Sequence, residues 1–336
     1  MIAKGARVIK TANRRNKPPG RFIVPEVNAA IPAVRTPDER FATLSGWPYA
    51  PRYVEDLPGY EGLRMHYVDE GPKDGVTFLC IHGEPSWAYL FRKMAPVFTG
   101  AGHRFVAVDM FGFGRSDKPV DDATYTYHFH RNALLAFVEK LNLKNVCLVV
   151  QDWGGVLGLT LPMAAPARYT HLIVMNTGLP GGEEAPDGFA MWRAFNRSQP
   201  DLDVGGLMKR ATPILTDAEV AAYNAPYPDQ SYKGGVRRFP ELVMLKEKGT
   251  ADLTPASKEG VETSLQARKF WSQDWNGESF MAIGMQDPVL GPPAMHALRK
   301  FIKGCPEPME VADAGHFVQE WGEPIAKAAL EKFRLA

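Results

Sequence analysis

Six short, almost continuously apolar runs alternate with amphipathic stretches over most of this 336-residue chain. The runs are Thr77–Gly83, Arg104–Met110, Asn145–Asp152, His171–Asn176, Phe280–Asp287 and Met309–Ala314. They are rich in β-branched residues and lack polar alternation, so each reads as a strand covered on both faces. Between them, Ala88–Phe98, Tyr125–Leu141, Gly155–Met163, Ala294–Ile302 and Pro324–Phe333 carry helical spacing. Such alternation requires right-handed βαβ crossovers and a doubly wound, mostly parallel sheet. The fold class is α/β. Tyr53–Glu70, with Pro58-Gly59 at its centre, reads as an antiparallel hairpin leading into the sheet.

The alternation breaks between about Pro180 and Gly260, where the chain is polar and turn-rich. Asp217–Tyr223 and Pro240–Lys248 are helical pieces within it. A structureless loop of that length is uncommon in a compact domain. Residues 180–260 are therefore expected to form a helical cap inserted into a core made of 34–179 and 261–336. Residues 1–33 differ again, with seven Lys/Arg (Lys4, Arg7, Lys10, Arg14, Arg15, Lys17, Arg21) against Glu26 alone. This proline-bearing head has no apolar h-region, so it reads as a flexible basic extension rather than a secretory signal.

Composition narrows the function classes. The formal net charge is +1, and the body carries no basic stripe, which argues against a nucleic-acid binder. No uncharged apolar run approaches the roughly 18–20 residues of a membrane span. Three cysteines, Cys80, Cys147 and Cys305, form neither a disulfide framework nor a metal-binding spacing. A monomer in a reducing, cytoplasmic compartment, with no metal and no cofactor, is the expectation.

Open α/β sheets place their ligands at the carboxyl ends of the strands. Asp152 ends one apolar run, in Gln151-Asp152-Trp153-Gly154-Gly155, and a helical pattern follows. That is the strand–turn–helix context of a nucleophile elbow, with Asp where many such hydrolases have Ser. The alternative is an aspartate that merely caps the next helix. Asp287 and His316 also stand at strand ends, and nucleophile, acid, histidine is the chain order of the α/β-hydrolase triad. Asn176, at the other available strand end, cannot ionise, which favours Asp287 as the acid. Ile81-His82-Gly83-Glu84-Pro85 ends the first core run, so the backbone N–H groups of Glu84 and Trp153 could form an oxyanion hole. Gly112-Phe113-Gly114 lacks dinucleotide-loop spacing and reads as a structural turn.

From about Ile31 onward the chain closely resembles the haloalkane dehalogenases. The resemblance rests on HGEPSWAYLFRKM, DMFGFGRSDKP, FHRN, VVQDWGG, DWNG, GMQDPVLGP and ADAGHFVQE, all in matching order. It is greatest to the branch with a Trp–Trp halide pair and its acid after the later strand. It implies an α/β-hydrolase fold, Asp152 as nucleophile, His316 as base, Asp287 as orienting acid, and Trp153 and Trp192 as halide donors. Haloalkane, water and halide are the implied partners, and detoxification the implied role. The cap departs from the family pattern: Asn176–Trp192 is short, whereas Lys246–Thr263 looks expanded.

The chemistry fits these residue types. A carboxylate needs no base to displace halide from an sp³ carbon, and the resulting ester is hydrolysed by a histidine-activated water. An indole N–H donates without accepting, which suits a halide in an apolar pocket. Val156, Phe189, Phe239, Val289 and Leu290 are candidate pocket walls, each also readable as plain core. Two other readings remain at this point. An epoxide hydrolase would share the machinery but recruit two cap tyrosines, for which Tyr223, Tyr227 and Tyr232 are available. A non-catalytic ligand-binding scaffold would leave the triad idle.

Overall fold

The computed structural model describes residues 31–336. The basic head thus lies outside the described residues except at its end. There Ala33 and Val34 form a two-residue strand antiparallel to Lys118–Pro119.

Among the described residues the main sheet has eight strands in the order β1-β2-β4-β3-β5-β6-β7-β8. They are β1 (Arg52–Val54), β2 (Met65–Glu70), β3 (Thr77–Ile81), β4 (Arg104–Val108), β5 (Val146–Gln151), β6 (Tyr169–Met175), β7 (Glu278–Gly284) and β8 (Met309–Val311). Strands β1 and β2 form the antiparallel entry, and every neighbouring pair from β4 across to β8 is parallel. Every residue of β3, β4 and β5 is buried, which explains their almost continuously apolar runs.

Helix α1 (Ala95–Gly100) follows β3, α2 (Tyr127–Lys140) follows β4, and α3 (Trp153–Gly158) follows β5. The stretch Ala88–Phe98, expected as one helix, is a 3₁₀ turn at Ala88–Phe91 and then α1. Pro96 explains the break, because proline fits only a helix's first turn. Helix α3 stops short of the expected Met163, since Pro162 disfavours helical backbone before it.

Between β6 and β7 lie α4 (Asp187–Ser198), α5 (Val204–Ala211), α6 (Asp217–Asn224), α7 (Gly234–Leu242), α8 (Pro255–Lys258) and α9 (Val261–Gln273). Helix α6 opens on a reciprocal capping box between Thr216 and Glu219. The expected helix Pro240–Lys248 is not there: α7 ends at Leu242, and Lys246 bridges Glu184. Pro240 sits inside α7 because α4 supplies what the proline removes. Asn196 Nδ2 donates to Val236 O at 3.1 Å, the carbonyl that a residue-240 N–H would have bonded. Arg193, also on α4, is buried and donates to Pro240 O at 3.1 Å and Val243 O at 3.3 Å.

Helices α10 (Pro292–Arg299) and α11 (Gly322–Phe333) complete the chain. Arg92, after the turn Ala88–Phe91, pairs with Glu320 at 2.7 Å and with Glu219 of α6 at 2.6 Å, joining α6 to these two segments.

Candidate active site

Asp152 follows β5 directly and carries φ +50° and ψ −127°, a conformation that costs a non-glycine residue about 1–3 kcal/mol. The sharp turn presses the chain onto its neighbours. A Cβ on Gly154 would lie 1.9 Å from Ile81 O, and one on Gly83 would lie 2.3 Å from Asp152 Oδ1. Only glycine fits there. The Asp152 side chain makes no capping hydrogen bond to α3, so the helix-cap alternative fails. Its Oδ1 instead accepts the Glu84 backbone N–H at 2.8 Å. Trp153 is the first residue of α3, and its backbone N–H is among those with no partner within the helix.

Two further strand ends converge on this carboxylate. Asp287, beyond β7, accepts from His316 Nδ1 at 2.8 Å, and His316 Nε2 lies 3.5 Å from Asp152 Oδ2. Burial works against ionising Asp287, but His316, Asn176 Nδ2 and Val289 N–H outweigh it and hold the carboxyl at about 2. Burial also opposes charge on His316, yet Asp287 and Asp152 raise its pKa well above the ordinary histidine value. Sequence reasoning weighs Asn176 only as a possible acid and sets it aside, and so misses its role as a partner of Asp287. Its amide donates to Asp287 Oδ2 at 2.9 Å, and its only sequence signal was a polar side chain at a strand end.

These groups open into one cavity of about 550 Å³. Asp152, Asp287, His316, Glu84, Trp153, Trp192, Val156, Phe189, Val289 and Leu290 all line it. Phe239 does not. It stacks edge-on behind Trp153, with ring centroids 4.7 Å apart, and its other side meets Phe113 and His130. The indoles of Trp87, Trp271 and Trp275 donate to Ala222 O, Leu159 O and Ser279 Oγ. Trp153 and Trp192 line the cavity, and their indoles have no protein acceptor among the described residues; the buried Trp47 indole also lacks one but lies away from the cavity. Glu84 is buried, and burial together with Asp152 pushes its carboxyl well above the usual range. No group of three potential metal ligands occurs among the described residues.

The chain matches the alpha/beta hydrolase fold family over residues 76–323. It is 41% identical over 305 residues to the haloalkane dehalogenase of Psychrobacter cryohalolentis, spanning 89% of this chain and 97% of that one. This chain belongs to the haloalkane dehalogenases. A solved haloalkane dehalogenase from Paraglaciecola agarilytica, described as tetrameric, is 53% identical. It superposes with a TM-score of 0.84, covering 90% of this chain and 98% of its own. The dehalogenase of Agrobacterium tumefaciens shares the fold at a TM-score of 0.69 and 23% identity, covering 88% of this chain and all of its own.

Proposed function

We propose that this dehalogenase hydrolyses haloalkanes to primary alcohol, halide and a proton through a covalent ester on Asp152. The observation that carries the reading is one carboxylate held from two sides at the foot of an apolar cavity. Asp152 Oδ1 is bound by the Glu84 N–H, and Oδ2 lies 3.5 Å from the candidate base. Oδ2 attacks the halogen-bearing carbon, a carbon–oxygen bond forms, and halide departs with the bonding electrons. Trp153 and Trp192 donate their indole N–H groups to the leaving halide.

Oδ1 becomes the ester carbonyl oxygen. His316 takes a proton from water as its oxygen attacks the Asp152 carbonyl carbon, and the Glu84 and Trp153 N–H groups hold the developing oxyanion. Asp287 accepts from His316 Nδ1 throughout. Collapse breaks the bond between the Asp152 carbonyl carbon and the alkyl oxygen. The imidazolium returns its proton to that oxygen, which leaves as alcohol, and the new Asp152 carboxyl releases one proton to restore the carboxylate.

The epoxide reading loses its acids. Tyr223 donates to Glu320, Tyr227 donates to Pro85 O at 3.0 Å, and neither they nor Tyr232 line the cavity. A single chain supplies every named site residue, which supports the monomer as catalytic unit. Free Cys80, Cys147 and Cys305 support a reducing, cytoplasmic setting, with detoxification of haloalkanes as the role. No helix among the described residues is long and apolar enough to cross a membrane.

The test is halide release from a panel of chloro- and bromoalkanes, run beside a panel of epoxides. Halide release with no diol formation is expected; diol formation without halide release would overturn the reading.

A further inference from the structure

Gln151, the last residue of β5, is fully buried and immediately precedes Asp152. Its amide Nε2 lies 3.0 Å from His316 Nε2 and 3.0 Å from the His316 carbonyl oxygen. A carbonyl oxygen only accepts, so the end of the Gln151 amide that faces His316 is the NH₂. The other end, Oε1, accepts from Gln319 Nε2 at 3.4 Å. When the ring is neutral, each of the two amide hydrogens then has one acceptor: the carbonyl, and the ring nitrogen. Because Nδ1 of that ring donates to Asp287, the neutral imidazole presents a lone pair at Nε2.

We propose that Gln151 is a positioning residue that keeps His316 neutral, and so able to act as base, during hydrolysis of the alkyl-enzyme. This rests on His316 being the base of the second step. Three acidic groups face its ring among the described residues. Asp287 comes from the segment after β7, Asp152 from the elbow, and Glu84 from the loop after β3. Glu320, on the histidine's own segment, is taken up by Arg92. In the free enzyme Asp152 and Asp287 favour the imidazolium, which cannot accept a proton from water. Esterification removes the Asp152 charge and leaves Asp287.

A donor aimed at Nε2 then opposes a second proton there, because two N–H groups would face one another. Asp287 and Gln151 thus grip the ring at both nitrogens. Water must share or displace that donor as it approaches, a cost accepted in exchange for a neutral base near pH 7.

Gln151→Met keeps the length and removes the donor. Gln151→Glu keeps the shape and, when ionised, favours the imidazolium. Alkyl-enzyme formation and decay are followed by rapid quench and intact mass, in single turnovers with a bromoalkane, across about pH 5–9, where histidine titrates. The acid limb of the decay rate should move up by about one pH unit in Gln151→Met, the worth of one hydrogen bond, and further in Gln151→Glu. The rate of alkylation should stay within a fewfold of wild type. A folded variant whose decay slows equally at every pH, or whose limb stays in place, would overturn the proposal. Should Gln151→Met fail to fold, Gln151→Glu carries the same test. His316→Gln serves as the control. If no alkyl-enzyme accumulates even there, the assignment of the base fails and this proposal with it.

Discussion

Asn176 donates its side-chain amide to Asp287 Oδ2 at 2.9 Å while gripping both the N–H and the carbonyl of Gly284. The acid is thus fixed by a residue from the neighbouring strand end, independently of its bond to His316. Asn176→Ala removes a donor from a buried carboxylate and leaves the Gly284 polar groups without partners. It should destabilise the fold by about 1–3 kcal/mol. Turnover should fall about tenfold through the hydrolytic step, because the histidine loses a fixed partner. Denaturant unfolding and pre-steady-state kinetics check both parts, and an unchanged hydrolytic step would show that Asp287 needs no such support.

Asp152 holds its strained φ of +50° for the sake of the turn. Asp152→Gly should therefore be inactive yet more stable than Asp152→Ala by up to about 1 kcal/mol, since both lose the Glu84 N–H contact and only glycine relieves the strained turn. Asp152→Ala should be equally inactive without that gain. The check is thermal melting beside halide release. Turnover above a few per cent in either variant would remove Asp152 from the nucleophile's role.

Much of this was legible in the chain for a physical reason. Continuous apolar runs mark strands covered on both faces, and chemistry in such sheets gathers where the strands end. Asp152, Asp287 and His316 could be singled out from that rule together with their chain order, and the family resemblance implied their roles. What escaped depends on contacts between distant segments. Phe239 looked like a pocket wall, but the turn of α7 places it behind Trp153. Pro240 looked like the start of a helix, but it lies in the last turn of α7, where Asn196 and Arg193 of α4 donate to nearby carbonyls. Asn176 and Gln151 both stand at strand ends, but neither can ionise, so nothing in the chain alone assigned them a role. Their importance appears only once the strand ends lie side by side.

The acid arm of the pH-stability curve follows from Asp287. Its folded pKa of about 2 lies below the value of about 3.9 for an unfolded aspartate. The sign is that of a depressed carboxylate: its stabilisation is fully present above about pH 4 and disappears as pH falls towards about 2. The pair difference is on the order of 2–3 kcal/mol. His316, raised by the same pairing, adds stability at low pH that fades as pH climbs through its folded pKa. Asp287→Asn should start less stable at neutral pH and lose less between about pH 4 and pH 2. Parallel melting-temperature curves for the two proteins would contradict the assignment.

The halide site is tested at Trp192, which lies on α4 and lines the same cavity as Asp152. Trp153, at the start of α3, lines the same cavity and is braced by Phe239 at 4.7 Å. If both indoles clasp the departing halide, free bromide or iodide must bind there as product. Such binding should quench tryptophan fluorescence saturably, beyond a linear collisional background. Trp192→Phe keeps the aromatic body and deletes one donor. A hydrogen bond to a charged acceptor contributes about 1.5–3 kcal/mol, so halide affinity should fall roughly tenfold or more. Carbon–halogen cleavage should slow too, because charge grows on the halogen in its transition state. Alkyl-enzyme hydrolysis should be spared, since the halide plays no part in water attack. Equal halide affinity and equal cleavage rates in Trp192→Phe and wild type would reduce this tryptophan to a packing residue on the cavity wall.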